Sequence, residues 1–201
     1  MKTYKIHLIR HGLTSANIEG KYVGNRTDLP LCDEGVDELR ALRDTVDYPD
    51  VQRLYTSPML RCKQTAGIIY PDTDVKVVDE LTEYDFGAFE GKTARELEKT
   101  EEFKAWTSGK MPAPPGGEST ENFIKRLALG FRSVVTDMMQ NGAENAAVIM
   151  HGGAVMMLLS ACAVPRRKSL EWQCDNGRGY SVLVTPSIYH SSGVIEVYDI
   201  I

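Results

Sequence analysis

Three short stretches of this chain carry residues that could do chemistry together. The first is Arg10-His11-Gly12, where an aliphatic run through Ile6, Leu8 and Ile9 breaks off into a cation, an imidazole and a glycine, with Thr14 and Asn17 just beyond. The glycine permits a close approach of backbone to a ligand, and the two short polar side chains add hydrogen-bonding groups. The second is Ser57-Pro58, followed by Arg61, and the third is His151-Gly152-Gly153. Two arginines can grip phosphoryl oxygens through directional, charge-assisted hydrogen bonds. One imidazole can attack phosphorus if an acceptor holds its other nitrogen, while the second stabilises charge on the transferring group. A carboxylic acid beside the leaving oxygen would complete the set, and Glu83, Asp85 and Glu90 alternate with aromatics between Leu81 and Gly91. A metal site is the weaker use of two histidines, because Arg10 and Arg61 would repel a cation and no tight His/Cys/Asp cluster is visible. Nucleotide-binding glycine patterns and a G-x-S-x-G elbow are both missing.

The elements that must position these residues are readable from periodicity. Buried strands are predicted over Tyr4 to Ile9, Val51 to Tyr55 and Ala146 to Met150, each ending on one of the three stretches. Parallel strands bring such ends together at the carboxyl edge of an open α/β sheet. Asp33 is expected to cap a helix running to about Val46, with Val36, Leu39, Leu42 and Val46 as its apolar stripe. Pro58 suits the first turn of a helix carrying Arg61 and Lys63, whose free amides favour an anion. A third strand is expected over Asp74 to Asp79, and Thr93 with Glu96 forms a capping box opening a short helix before another near Glu101. Ser108 to Gly117, rich in Pro and Gly, reads as a linker, and Ser119 to about Gln140 as a long amphipathic helix. A buried helix over Ala154 to Ala163 and strands near Leu170 to Gln173, Gly179 to Val184 and Val194 to Asp199 complete the chain. The expectation is one domain over 1–201: an α/β three-layer sandwich with a mainly parallel central sheet and a small lid over 84–118. Lys21 and Arg26, in the long connection after strand one, could line the approach to an anionic site.

Composition narrows the partners. The formal net charge is −5 and no basic tail is present, which argues against nucleic acid. Ala146 to Val164 carries no charged side chain and approaches the length of a membrane span. His151, Gly152 and Gly153 interrupt it, so strand, turn and buried helix is the better reading, with no membrane partner. Four widely spaced cysteines and no signal peptide predict a reduced, cytoplasmic protein. The edge near Val194 to Ile201 could pair with a second copy, giving a homodimer.

The motifs resemble those of the histidine phosphatase, or phosphoglycerate mutase-like, superfamily. Arg10-His11-Gly12-x-Thr14-x-x-Asn17 is similar to its signature, Ser57-Pro58-x-x-Arg61-x-x-x-Thr65-Ala66 to its second motif, Glu83 through Gly91 to its acid-bearing segment, and His151-Gly152 to its last motif. The resemblance implies phosphoglycerate mutase-like architecture, with His11 as a nucleophile that becomes transiently phosphorylated. It implies Arg10, Asn17, Arg61, His151 and Gly152 as the phosphate pocket, and Glu83 as general acid, then base, ahead of Asp85 and Glu90. Neither metal nor organic cofactor is implied. Tyr84 to Gly91 and Pro114-Pro115-Gly116-Gly117-Glu118-Ser119 resemble the phosphatase branch, notably its alpha-ribazole phosphatase type. The implied activity is hydrolysis of small phosphomonoesters, with alpha-ribazole phosphate one possible substrate and Tyr22, Arg26 and Phe86 as candidate pocket residues. The alternatives are a phosphoglycerate mutase and, in a different class, a catalytically silent protein that binds a phosphorylated ligand.

Overall fold

Alternation of apolar side chains fixes the centre of the molecule, described for residues 2–201 by a computed structural model. In β1 (Tyr4–Arg10), Ile6 and Leu8 join one hydrophobic cluster and Ile9 the other, and all three are fully buried. β4 (Asn145–Met150) alternates likewise, with Ala146, Val148 and Met150 on one face and Ala147 and Ile149 on the other. A strand covered on both faces reads as an unbroken apolar run, which is why 146–150 carries so little polar punctuation.

β4 lies parallel to β1 and to β2 (Arg53–Thr56), which is parallel in turn to β3 (Val75–Val77). On the other side of β1, β6 (Gly179–Val184) runs antiparallel and pairs antiparallel with β7 (Ile195–Ile200). The two-residue β5 (Ala163–Val164) ends the seven-stranded sheet, ordered β3-β2-β4-β1-β6-β7-β5. The sheet is therefore mixed, with β6 alone running against the rest. α2 (Asp33–Thr45) and α3 (Leu60–Ile69) cover one face, while α6 (Thr120–Gln140) and α7 (Gly152–Cys162) cover the other. This gives the expected α/β sandwich. β5 covers only Ile195 and Glu196 of β7, and the strand carries Glu196 and Asp199, charges that oppose addition of another strand.

Several elements differ from the sequence expectation. Leu170 to Gln173 is no strand: Ser169–Trp172 forms a single 3-10 turn. Leu170 and Trp172 alternate as strand residues would, but Trp172 is buried edge-on to Tyr180 while Leu170 lies 75% exposed. The Glu171 carboxylate accepts from the Lys168 amide and closes the turn. Cys32, not Asp33, is the N-cap of α2, and Asp33 sits in its first turn. α3 starts two residues after Pro58, and the Leu60 amide donates to the Asp28 carboxylate at 2.7 Å, so a side chain supplies the anion expected there. Two helices went unpredicted: α1 (Ser15–Ile18), capped reciprocally by Thr14 and Asn17, and α8 (Pro186–Ser192), ended by Gly193 at φ +68°.

Segment 84–118 holds α4 (Ala94–Leu97), with its Thr93/Glu96 capping box, and α5 (Glu101–Thr107). Phe89, Leu97 and Phe103 make a small core of their own, and Tyr22 packs onto it from the loop after β1. A Cβ on Gly24 would stand 1.8 Å from the Tyr84 carbonyl oxygen, so only glycine allows this loop to close on the segment.

Candidate active site

The ends of β1, β2 and β4 meet as the parallel order requires, and His11 and His151 stand edge to face with ring centroids 5.2 Å apart. The His11 Nδ1 donates to the carbonyl of Gly12 at 2.7 Å, which fixes the tautomer and leaves Nε2 with a free lone pair. Burial, then the positive charges of Arg61 and Arg10, hold the His11 pKa down to about 3, so the ring is neutral at any ordinary pH. From behind, Asn176 Nδ2 donates to the His11 carbonyl at 2.8 Å, and the Thr65 hydroxyl accepts from the Gly12 amide at 2.9 Å.

Arg10 spends one Nη1 hydrogen on the Cys174 carbonyl at 2.8 Å, while its buried Nε has no partner. A Cβ on Gly152 would lie 3.1 Å from that Nε, so the glycine keeps the approach open. Arg61 is buried beneath the loop after β1 and donates to the carbonyls of Thr27 and Gly24. Its Nε donates to His151 Nδ1 at 3.3 Å, and the other His151 nitrogen pairs with the Ser57 hydroxyl at 2.8 Å. With Nδ1 accepting, Nε2 carries the hydrogen. Burial and Arg61 keep His151 well below its ordinary pKa and neutral.

Glu83 is buried, and its carboxylate accepts from the amides of Tyr84 at 2.9 Å and Gly153 at 3.2 Å. Burial raises its pKa, offset in part by those two amides and by Arg61 and Arg10, so a larger share stays protonated than for an exposed carboxyl. Asp85 is spent on Arg26 at 2.7 Å, and Glu90 accepts from the Gly24 amide.

The enclosed space is a small cavity of about 160 Å³, lined by Arg10, His11, Asn17, Val23, Glu83, Gly152, Gly153, Met156, Gln173 and Cys174. The Asn17 side-chain oxygen is occupied by Thr14, which leaves its amide nitrogen for this space. Tyr22, Arg26 and Phe86 are not brought into it. Tyr22 and Phe86 pack on each other at 5.1 Å and against Trp106, because large aromatics in the 84–118 segment bury one another, and Arg26 is bonded to Asp85 and the Gly116 carbonyl. Sequence reasoning missed Val23, Met156, Gln173 and Cys174 as cavity walls and Asn176 behind His11. Gly153 alone had a signal, as the second glycine after His151. No group of three or more His, Cys, Asp or Glu residues able to hold a metal occurs among the described residues. No helix among them is long and apolar enough to cross a membrane, and all four cysteines are free.

Two imidazoles, two guanidiniums and one buried carboxyl at the carboxyl edge of an α/β sheet define a histidine-centred site for phosphoryl groups. The chain belongs to the histidine phosphatase superfamily, branch 1, whose family model matches residues 6–190. The adenosylcobalamin/alpha-ribazole phosphatase of Salmonella typhimurium is 27% identical over 161 residues, covering 78% of each chain. Among solved structures, the alpha-ribazole phosphatase of Shigella flexneri superposes with a TM-score of 0.76 at 22% identity, over 96% of this chain and 94% of that one. A phosphoglycerate mutase of Thermus thermophilus reaches 0.69 at 29% identity, over 98% of both chains.

The buried histidines set an acid limit on stability. His7, whose Nδ1 pairs with Ser181 and whose Nε2 pairs with Asn145, also has its pKa lowered by burial. In the unfolded chain His7, His11 and His151 take up protons below about pH 6.5, whereas the folded chain holds His11 and His151 neutral and takes up less at His7. Their stabilisation is complete above that pH and falls as pH drops, by up to about 1.4 kcal/mol per pH unit for each histidine. Glu83, with its raised pKa, protonates first in the folded chain and works the other way. Urea midpoints should therefore fall steeply from pH 6.5 to 5, and a flat profile would show that the three rings are protonated in the folded chain.

Proposed function

We propose that this chain hydrolyses small phosphomonoesters with uncharged leaving groups through phospho-His11. The observation that carries the reading is the neutral imidazole, pinned at Nδ1 and bare at Nε2, facing the same small cavity as a carboxyl whose pKa is raised. Arg10, Arg61, Asn17 and the Gly152 amide hold the phosphoryl oxygens. His151 steadies Arg61 and adds a donor once its bond to Ser57 is exchanged for a phosphoryl oxygen. His11 Nε2 attacks phosphorus, the P–O bond to the leaving group breaks, and Glu83 gives that oxygen its proton. Water then attacks phosphorus as Glu83 takes its proton, the new P–O bond forms as the P–N bond to His11 breaks, and inorganic phosphate and free His11 remain.

Beyond the phosphate cradle, the walls supplied by Val23, Met156, Gln173 and Cys174 contain no cation. Arg26, the nearby candidate, is already paired with Asp85. A phosphoglycerate would bring a carboxylate to this wall with nothing to meet it, which favours a neutral alcohol such as alpha-ribazole over the mutase reaction. The mutase reading keeps support from the likeness to the Thermus protein.

Phosphate release should be followed across alpha-ribazole phosphate, 3-phosphoglycerate and 4-nitrophenyl phosphate with a chelator present. Release from the first and third, with 3-phosphoglycerate poor, is expected. Interconversion of phosphoglycerates without release would establish the mutase, and tight phosphate binding with neither activity a silent binding protein.

A further inference from the structure

Arg126 on α6 lines no part of the cavity, yet every N–H it has is committed. Nε and Nη2 fork onto the Glu118 carboxylate at 3.1 and 2.8 Å. Nη1 donates to the carbonyls of Glu80 and Thr82 at 2.7 and 2.8 Å, and Nη2 reaches the carbonyl of Glu83 at 3.2 Å. The guanidinium also lies over the Phe123 ring, 5.2 Å from its centroid. Three carbonyls from four consecutive residues thus converge on one planar cation, an arrangement an ammonium could not reproduce.

The last of those residues is the proposed general acid. Its carboxyl end is held by the Tyr84 and Gly153 amides, and its backbone end by Arg126. Glu118, which orients the guanidinium, belongs to the end of the lid segment, and its amide donates to the Asp85 carbonyl at 3.0 Å. Asp85 is also where Arg26 ties down the loop after β1. Proton donation needs the carboxyl within hydrogen-bond reach of the leaving oxygen, and a pivot of about 1 Å at the Glu83 backbone would lose it.

We propose that Arg126, oriented by Glu118, is the positioning residue of the general acid and links the seating of the 84–118 segment to proton donation by Glu83. This rests on Glu83 acting as the acid, as proposed above.

The test compares kcat/KM for an alkyl phosphate and for 4-nitrophenyl phosphate in the native protein, Glu83→Gln, Arg126→Met, Glu118→Gln and the Glu83→Gln/Arg126→Met pair. kcat/KM reports steps through phosphohistidine formation, and nitrophenolate departs without a proton. Arg126→Met should lower the alkyl value about 30-fold and the aryl value less than about 3-fold, and Glu118→Gln should bias the ratio the same way by about 5-fold. The double variant should be no worse on the alkyl ester than Glu83→Gln alone, since both act through one proton. Equal losses on the two esters, or additive losses in the double variant, would reduce Arg126 to a structural role and overturn the proposal. If Arg126→Met does not fold, an unchanged ratio in Glu118→Gln overturns it instead. Should Glu83→Gln itself show no bias, the reading of Glu83 falls and this one with it. Bias in Glu83→Gln without bias in the Arg126 and Glu118 variants sinks this proposal alone.

Discussion

His11→Ala is expected to lower turnover of every phosphomonoester by about 10⁴-fold or more, because no second nucleophile can take its place. Both His151 nitrogens are engaged, one by Arg61 and one by Ser57. Burial pushes the Cys174 thiol up to about 11 and raises Cys62 further, so neither offers a thiolate at neutral pH. The measurement is an alkaline, denaturing quench after mixing with a ³²P-labelled ester. Acid-labile, alkali-stable label should sit on the native protein and be missing from the variant. Label that persists in a folded His11→Ala protein would move the nucleophile elsewhere.

Glu83→Gln should cost about 10²- to 10³-fold in kcat/KM on alkyl esters and far less on aryl esters, whose leaving groups need no proton. Glutamine keeps the shape and one of the two oxygens that the Tyr84 and Gly153 amides meet, but has no acidic proton to give. The pH dependence carries the same sign. Glu83 must be protonated to act first, so alkyl kcat/KM falls as pH rises through its raised pKa, and that alkaline limb should vanish in the variant. His11 contributes no acid limb above about pH 4, since its own pKa is held near 3. Equal losses on both ester types, or an unchanged limb, would remove Glu83 from this role.

The sheet and its order of motifs were legible because β1, β2 and β4 end abruptly on polar, glycine- or proline-marked turns. The short stretches before those turns, apolar in β4 and mixed in β1 and β2, read as strands. The convergence of Arg10, His11, Arg61 and His151 followed from parallel pairing alone. Other features depend on contacts between distant segments and have no local signature. Leu170 and Trp172 have strand spacing, yet a backbone cap from Glu171 turns the chain there. Tyr22 and Phe86 looked like cavity walls because aromatics near a site suit a ligand, but they serve equally as a small core, and Trp106 and Phe103 claim them. Arg126 reads as one more charge on an amphipathic helix, since nothing in its neighbours reveals the three carbonyls it meets.

The hold on His11 also bears on timing during synthesis. The His11 amide donates to Met150, the Arg10 amide to the Arg178 carbonyl, and the Gly177 amide to the Arg10 carbonyl. Asn176, 165 positions along the chain, closes on the His11 carbonyl. At about 5–20 residues per second, a ribosome needs roughly 10–30 s to make the residues that seat His11 after His11 itself has emerged. Until β4 is made β1 has neither of its neighbouring strands, and until β6 is made it has one at most, so Ile6, Leu8 and Ile9 are available to chaperones or to other chains. An incomplete chain stopping before Asn176 would carry the His11 imidazole without that backbone support.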